Sequence, residues 1–108
     1  MKKLTLANKS FLHFLSCDKE QRKAILKTTT DDQLKLLVEI VLNLLQGVIP
    51  TSNRTKNLLR SNKNNIGKVV EDSTSKTLRR KRLAKISSEI PVILQSFLKY
   101  ESRTDIGE

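Results

Sequence analysis

The side chains in this chain best suited to chemistry are its cations. Arg79, Arg80, Lys81 and Arg82 stand in succession, with Lys76 and Lys85 at either end. Arg54, Lys56, Arg60, Lys63 and Lys68 precede them. Guanidinium and ammonium groups at this density donate hydrogen bonds to phosphate oxygens, and each neutralised phosphate releases condensed counterions. Interleaved Asn53, Asn57, Ser61, Asn62, Asn64, Asn65, Ser73 and Thr77 add neutral donors for the same backbone. Residues 51–85 contain no aromatic side chain, which disfavours base stacking on single strands and an RRM-like surface. The eleven cations are therefore candidate nucleic-acid-binding residues that read phosphates with little base specificity. Duplex DNA is favoured over RNA as the partner. Arg79 to Arg82 also matches the pattern of a nuclear import signal.

Catalytic and metal chemistry finds little to work with. His13 and Cys17 are the single histidine and the single cysteine. At i, i+4 they could form a thiolate–imidazole pair, but no third group is present to orient them. The simpler expectation is a half-buried helical His13 beside Phe11, Leu12, Phe14 and Leu15, and a small Cys17 buried between helices. No further histidine or cysteine stands at ligand spacing, so no zinc site is expected. Gly47 and Gly67 are isolated, which leaves no phosphate-cradling loop. Asp31 and Asp32 are adjacent carboxylates, but both suit the first turn of a helix. The expectation is a non-enzymatic protein with no metal and no cofactor.

The charge is concentrated where the candidate residues lie. The chain has 108 residues and a net charge of +10. Residues 51–85 hold 11 basic and 2 acidic side chains, a net +9, against +3 for residues 1–50 and −2 for residues 86–108. Such a block exceeds what solubility requires and repels itself, so a compensating polyanion is expected. An acidic protein would serve as well, which makes a small structural or assembly adaptor the alternative reading. No membrane role is expected. The apolar run at 34–45 is broken by Lys35, Glu39 and Asn43 and is too short to span. Met1 to Leu4 opens like a signal peptide, but Asn8, Lys9 and Ser10 interrupt the apolar stretch that should follow. The most basic helix has the poorest apolar face, which argues against insertion. The expected setting is intracellular, and nuclear in a eukaryotic host. A lone cysteine allows no internal disulfide.

The elements that must position these cations are helices. The 17 Leu, 8 Ile and 6 Val suffice for one core, while 3 Gly, 2 Pro and no Trp argue against β-sandwiches and barrels. A short apolar helix is expected over 10–16. Asp18 with Gln21 forms a capping box for a second helix, to about Thr28. Thr30, Asp31, Asp32 and Gln33 form another, opening a third helix with apolar residues at 34, 37, 38, 41, 44 and 45. Leu36, Ile40 and Leu42 widen that stripe, so this helix is central. Glu39 could pair with a basic residue across the bundle, but it falls in phase with Lys35 and Asn43, which favours an exposed face. Gly47 and Pro50 end it. Thr51 or Ser52 starts the next element, whose apolar residues keep helical phase to Val70; it reads as two short helices or one kinked helix, weakened at Asn64, Asn65 and Gly67. Residues 72–75 cap a basic helix to about Ile86, whose circumference should mostly face solvent or ligand. Ser87 or Ser88 caps the last helix, with Pro91 in its first turn and a stripe of Ile90, Ile93, Leu94, Phe97 and Leu98 ending near Tyr100. That stripe suits the core. It could also dock a protein partner or a second copy through the 89–100 helix.

Several segments share a pattern with a known family. Residues Gln21 to Thr28, Gln33-Leu34, Leu37 to Ile40, Asn43 to Leu45, and Gly47 with Ile49-Pro50 resemble short basic proteins of virus-like mobile DNA elements, of the Maverick or adintovirus type, in invertebrate genomes. The resemblance covers about residues 10–95 and implies a DNA-virus-like setting. It implies no activity. In that family a Gly-rich apolar tail follows the basic segment, whereas here Ser87 to Pro91 and an amphipathic helix follow it. The fold expected is all-α, a compact bundle of five or six short helices around a central helix near 31–46. A single helical domain at 1–101 would carry the basic segment 54–85, and 102–108 would be a frayed acidic tail.

Overall fold

The computed structural model describes residues 5–16 and 19–106, with side chains through Tyr100. Cys17 and Asp18 lie outside the described residues, and with them the burial expected of Cys17 and the cap expected at Asp18. So do the opening residues 1–4 and the side chains of the acidic tail. The described residues form seven α-helices: α1 (Leu6–Leu15), α2 (Lys19–Lys27), α3 (Asp31–Leu45), α4 (Asn53–Ser61), α5 (Lys63–Val70), α6 (Lys76–Lys85) and α7 (Ile90–Ile106). The architecture is an all-α bundle, with one helix more than the upper number expected. The extra one arises because residues 53–70 divide into two helices at Asn62.

Hydroxyl caps set most of the helix starts. Thr5, Thr30, Ser52 and Ser75 each accept the backbone N–H three residues on, at 3.1, 3.1, 3.2 and 3.2 Å. Each such cap contributes about 1 kcal/mol. The Thr5 cap starts α1 four residues earlier than the apolar pattern at 10–16 implied. At Thr30 the box is reciprocal, since the Gln33 side chain accepts from the Thr30 N–H at 3.0 Å. The far end of α3 closes in a Schellman turn. Gly47 takes φ +76°, its N–H donates to Leu44 O at 3.3 Å, and the Val48 N–H donates to Asn43 O at 3.0 Å. Helix α7 does not begin at a serine. Ile90 is its first residue, and the Glu89 carbonyl accepts the first helical bond from the Ile93 N–H at 3.2 Å. Pro91 thus sits where a missing N–H costs nothing. The helix continues to Ile106, beyond the expected end near Tyr100.

One core joins all seven helices. Helix α3 supplies Leu34, Leu36, Leu37, Ile40, Val41 and Leu44 to it and packs on α5, α6 and α7. Leu36 and Ile40 are buried as a central helix requires. Leu42 and Leu45, near the exit of α3, remain 36% and 46% exposed. Glu39 and Lys35 are exposed on one face, as expected, with Asn43 half-buried beside them. The α7 stripe is committed to the core, because Ile90, Ile93, Leu94 and Phe97 are each at most 1% exposed. In the folded domain those side chains are not free to dock a second chain. His13 is exposed rather than half-buried, on the side of α1 that faces α7. Leu12 and Leu15 take the buried positions.

The least expected member of the interior is Arg22 of α2, only 6% exposed. Its Nε donates to the Leu15 carbonyl at the end of α1. Its Nη1 donates to the Ser87 carbonyl in the turn between α6 and α7 at 3.1 Å. A buried guanidinium aimed at the negative end of a helix is compensated by that dipole and by charge-assisted bonds. Arg22 thus ties three consecutive packing layers, α1, α2 and the α6–α7 turn, at one point.

Candidate nucleic-acid interface

Helix α6 carries the densest cations, and it is not the free helix that its composition suggested. It packs between α5 on one flank and α2 on the other, with α3 beneath. Leu83 and Ala84 are its buried residues. Arg79, Arg80 and Arg82 are half-buried rather than exposed, and each hydrogen-bonds a neighbouring element.

Towards α5, Arg79 Nη2 donates to the Glu71 carbonyl at 2.7 Å and Arg82 Nη1 donates to Asn65 Oδ1 at 3.0 Å. The Nε of both arginines is buried without a hydrogen-bond partner. Towards α3, Arg80 Nε donates to the Thr29 carbonyl at 2.9 Å and its Nη2 to Asp31 Oδ1 at 2.8 Å. Lys76 Nζ donates to the other carboxylate oxygen of Asp31, also at 2.8 Å. The hydrogen bond from Lys76, then that from Arg80, hold the Asp31 carboxyl below the usual carboxylate range. Asp31 therefore does more than face the α3 dipole; it receives the start of α6. Lys68 pairs with Glu71 at 3.3 Å. The Glu71 carboxyl is likewise lowered, first by the hydrogen bond from Ser73 Oγ and then by that from Lys68. Much of the self-repulsion in the basic segment is thus relieved inside the molecule, by Asp31, Glu71, Asn65 and backbone carbonyls.

Five of the eleven candidate cations, Lys68, Lys76, Arg79, Arg80 and Arg82, are engaged in this way. The other six, Arg54, Lys56, Arg60, Lys63, Lys81 and Lys85, are exposed, and their side chains hydrogen-bond to no described residue. The fold does not gather those six into one cluster. Arg54 lies at a cleft between α4 and α7, across from Gln95 and Lys99. There Thr55 Oγ1 and Ser96 Oγ, 3.0 Å apart, join the two helices. Lys81 and Lys85 lie on the opposite flank of α6 from α5, beside α2.

The chain matches no family model, no curated protein and no solved structure.

The fold adds cations that the basic segment does not contain. Helices α2 and α6 run antiparallel, and two separate depressions mark the crevice between them. At one end Lys27 meets Thr77, Arg80 and Lys81. At the other Lys19, Glu20 and Lys23 meet Ala84, Lys85, Ser87 and Ser88. Lys19, Lys23 and Lys27 are all exposed and hydrogen-bond to no described residue. Their i, i+4, i+8 spacing stands in the sequence as a helical stripe. Glu20 and Asp18 beside it make the local charge ordinary, so composition alone does not single it out. No helix of the described residues is long and apolar enough to cross a membrane.

Proposed function

We propose that the protein is a non-catalytic nucleic-acid-binding domain that holds duplex nucleic acid, DNA before RNA, through its phosphates. The observation that carries this reading is the set of six exposed and unbonded cations in residues 54–85. Counter-charges within the fold already occupy the other five. What remains outward is positive charge with no internal partner, and a phosphate backbone supplies a matching array. The aromatic residues support a duplex. Phe97 is buried, Phe11 and Tyr100 are half-buried, Phe14 is exposed on α1, and none stands on α4, α5 or α6. Contacts of this kind position a protein on DNA without reading bases. The resemblance to proteins of virus-like mobile DNA elements is in keeping with such a partner in a virus-like or nuclear setting. As an import signal, the run Arg79 to Arg82 would first have to leave α6 and its three hydrogen-bonded arginines.

The test is fluorescence anisotropy with unrelated duplex DNAs, duplex RNA and single strands over a series of salt concentrations. Binding should be nearly equal across DNA sequences and fall steeply with salt. Absence of salt-dependent duplex binding by the wild-type chain refutes the reading. Tighter binding to an acidic polypeptide than to DNA at the same salt replaces it with the adaptor reading.

A further inference from the structure

We infer that the crevice between α2 and α6 is the main seat of one phosphodiester strand, with Lys19, Lys23 and Lys27 as one wall and Lys81 and Lys85 as the other. This rests on the proposed nucleic-acid reading and assigns the contact to residues of which three lie outside the basic segment.

Three observations converge on this seam. The first is charge geometry. Lysines eight residues apart on one helix span about 12 Å along its axis, which covers about three phosphates of one DNA strand. Lys81 and Lys85, four residues apart on α6, face the same seam from the other side. The second is availability. All five lysines are exposed and hydrogen-bond to no described residue, whereas the arginines of α6 are turned to α5 and to the α2–α3 turn. The third is the floor of the seam. Ala84 is 4% exposed, and its small side chain lets the helices approach. Thr77 and Ser88 line the crevice and are exposed, so their hydroxyls can donate to phosphate oxygens. Glu20 is the single acidic residue lining these two depressions. The clefts elsewhere suit a polyanion less well. The one beneath α4 brings Arg54 and Lys99 together over neutral residues. The one at the start of α3 is lined by Asp31 and Asp32.

The test compares two triple variants of the full-length chain. In the first, Lys19, Lys23 and Lys27 are changed to Gln. In the second, Arg54, Lys56 and Arg60 are changed to Gln. Gln forms helix nearly as well as Lys and Arg, and circular dichroism checks that helix content is kept. Anisotropy with duplex DNA then reads the slope of log affinity against log salt. The crevice assignment expects the first variant to lose about two to three units of slope and at least tenfold in affinity at low salt. The second variant should lose clearly less. A Lys→Arg version of the first triple should restore the slope, since it restores charge. If the first variant keeps wild-type slope while the second loses it, the crevice assignment is overturned and the nucleic-acid reading stands. If the wild-type chain shows no salt-dependent duplex binding, both are overturned. If the Lys→Arg version binds as weakly as the Gln version, the crevice does not act through charge, and the assignment is overturned.

Discussion

Replacing Arg22 by Ala should cost about 3 kcal/mol of stability, although the change removes a charge from a protein that has ten too many. The magnitude follows from the surroundings of the guanidinium. Arg22 is 6% exposed and donates to two carbonyls, those of Leu15 and Ser87. Hydrogen bonds from a charged donor contribute about 1.5–3 kcal/mol each. The two together set an upper limit near 6 kcal/mol, and relief of the desolvated charge returns part of it. The carbonyls left behind belong to the last turn of α1 and to the α6–α7 turn, so both contacts loosen together. For a chain of this size such a loss lowers the melting temperature by roughly 10–20 °C. Urea unfolding followed by circular dichroism should show a lower midpoint at unchanged m-value. Arg22→Lys should recover only a fraction, because one ammonium cannot present the fork that reaches both carbonyls. A midpoint for Arg22→Ala that corresponds to less than 0.5 kcal/mol of destabilisation would show that water satisfies these carbonyls and that the clamp is dispensable.

Other outcomes follow from the same physics. Arg79→Lys with Arg82→Lys keeps the net charge but removes two planar donors from the α5–α6 seam, and should lower stability by about 1–2 kcal/mol in urea unfolding. Gly67→Ala should raise stability by about 0.5–1 kcal/mol, since Gly67 is exposed within α5 and an added methyl meets nothing within 4 Å. The lowered Asp31 carboxyl carries a signed pH dependence. Its contribution is present above the unfolded value near 3.9 and is lost as pH falls through the lower folded value. Asp31→Asn should therefore lower the urea midpoint at pH 6, and the gap from wild type should narrow as pH falls below the unfolded value.

Some of this structure is written plainly in the sequence and some is not, for definable reasons. The α3 helix is legible because each of its signals is local: the Thr30–Gln33 box, the apolar spacing, and Gly47 where a positive φ is needed. A break within residues 53–70 is legible too, but it falls at Asn62, ahead of Asn64, Asn65 and Gly67, which all lie inside α5. Arg22 is not legible, because its partners are backbone carbonyls, which every residue carries and no sequence pattern marks. The contacts of the α6 arginines are hidden for the same cause. A run of cations advertises a search for anions, yet Thr29 O, Glu71 O and Asn65 Oδ1 satisfy much of it without charge. The crevice is illegible for another reason. Its two walls lie about sixty residues apart, and only the antiparallel packing of α2 on α6 brings Lys27 to Lys81 and Lys19 to Lys85.

On α6 the two kinds of cation differ in what they meet. Guanidinium groups at 79, 80 and 82 point to neighbouring elements, while amines at 81 and 85 stand in solvent. Charge held within the fold and charge left to solvent are therefore chemically distinguishable on this helix. Acylation selective for amines would neutralise the outer layer and leave the guanidinium scaffold intact, with Lys76 on Asp31 as the exception. Reversible lysine modification could thus turn the outer surface from cationic towards neutral while the bundle stays folded.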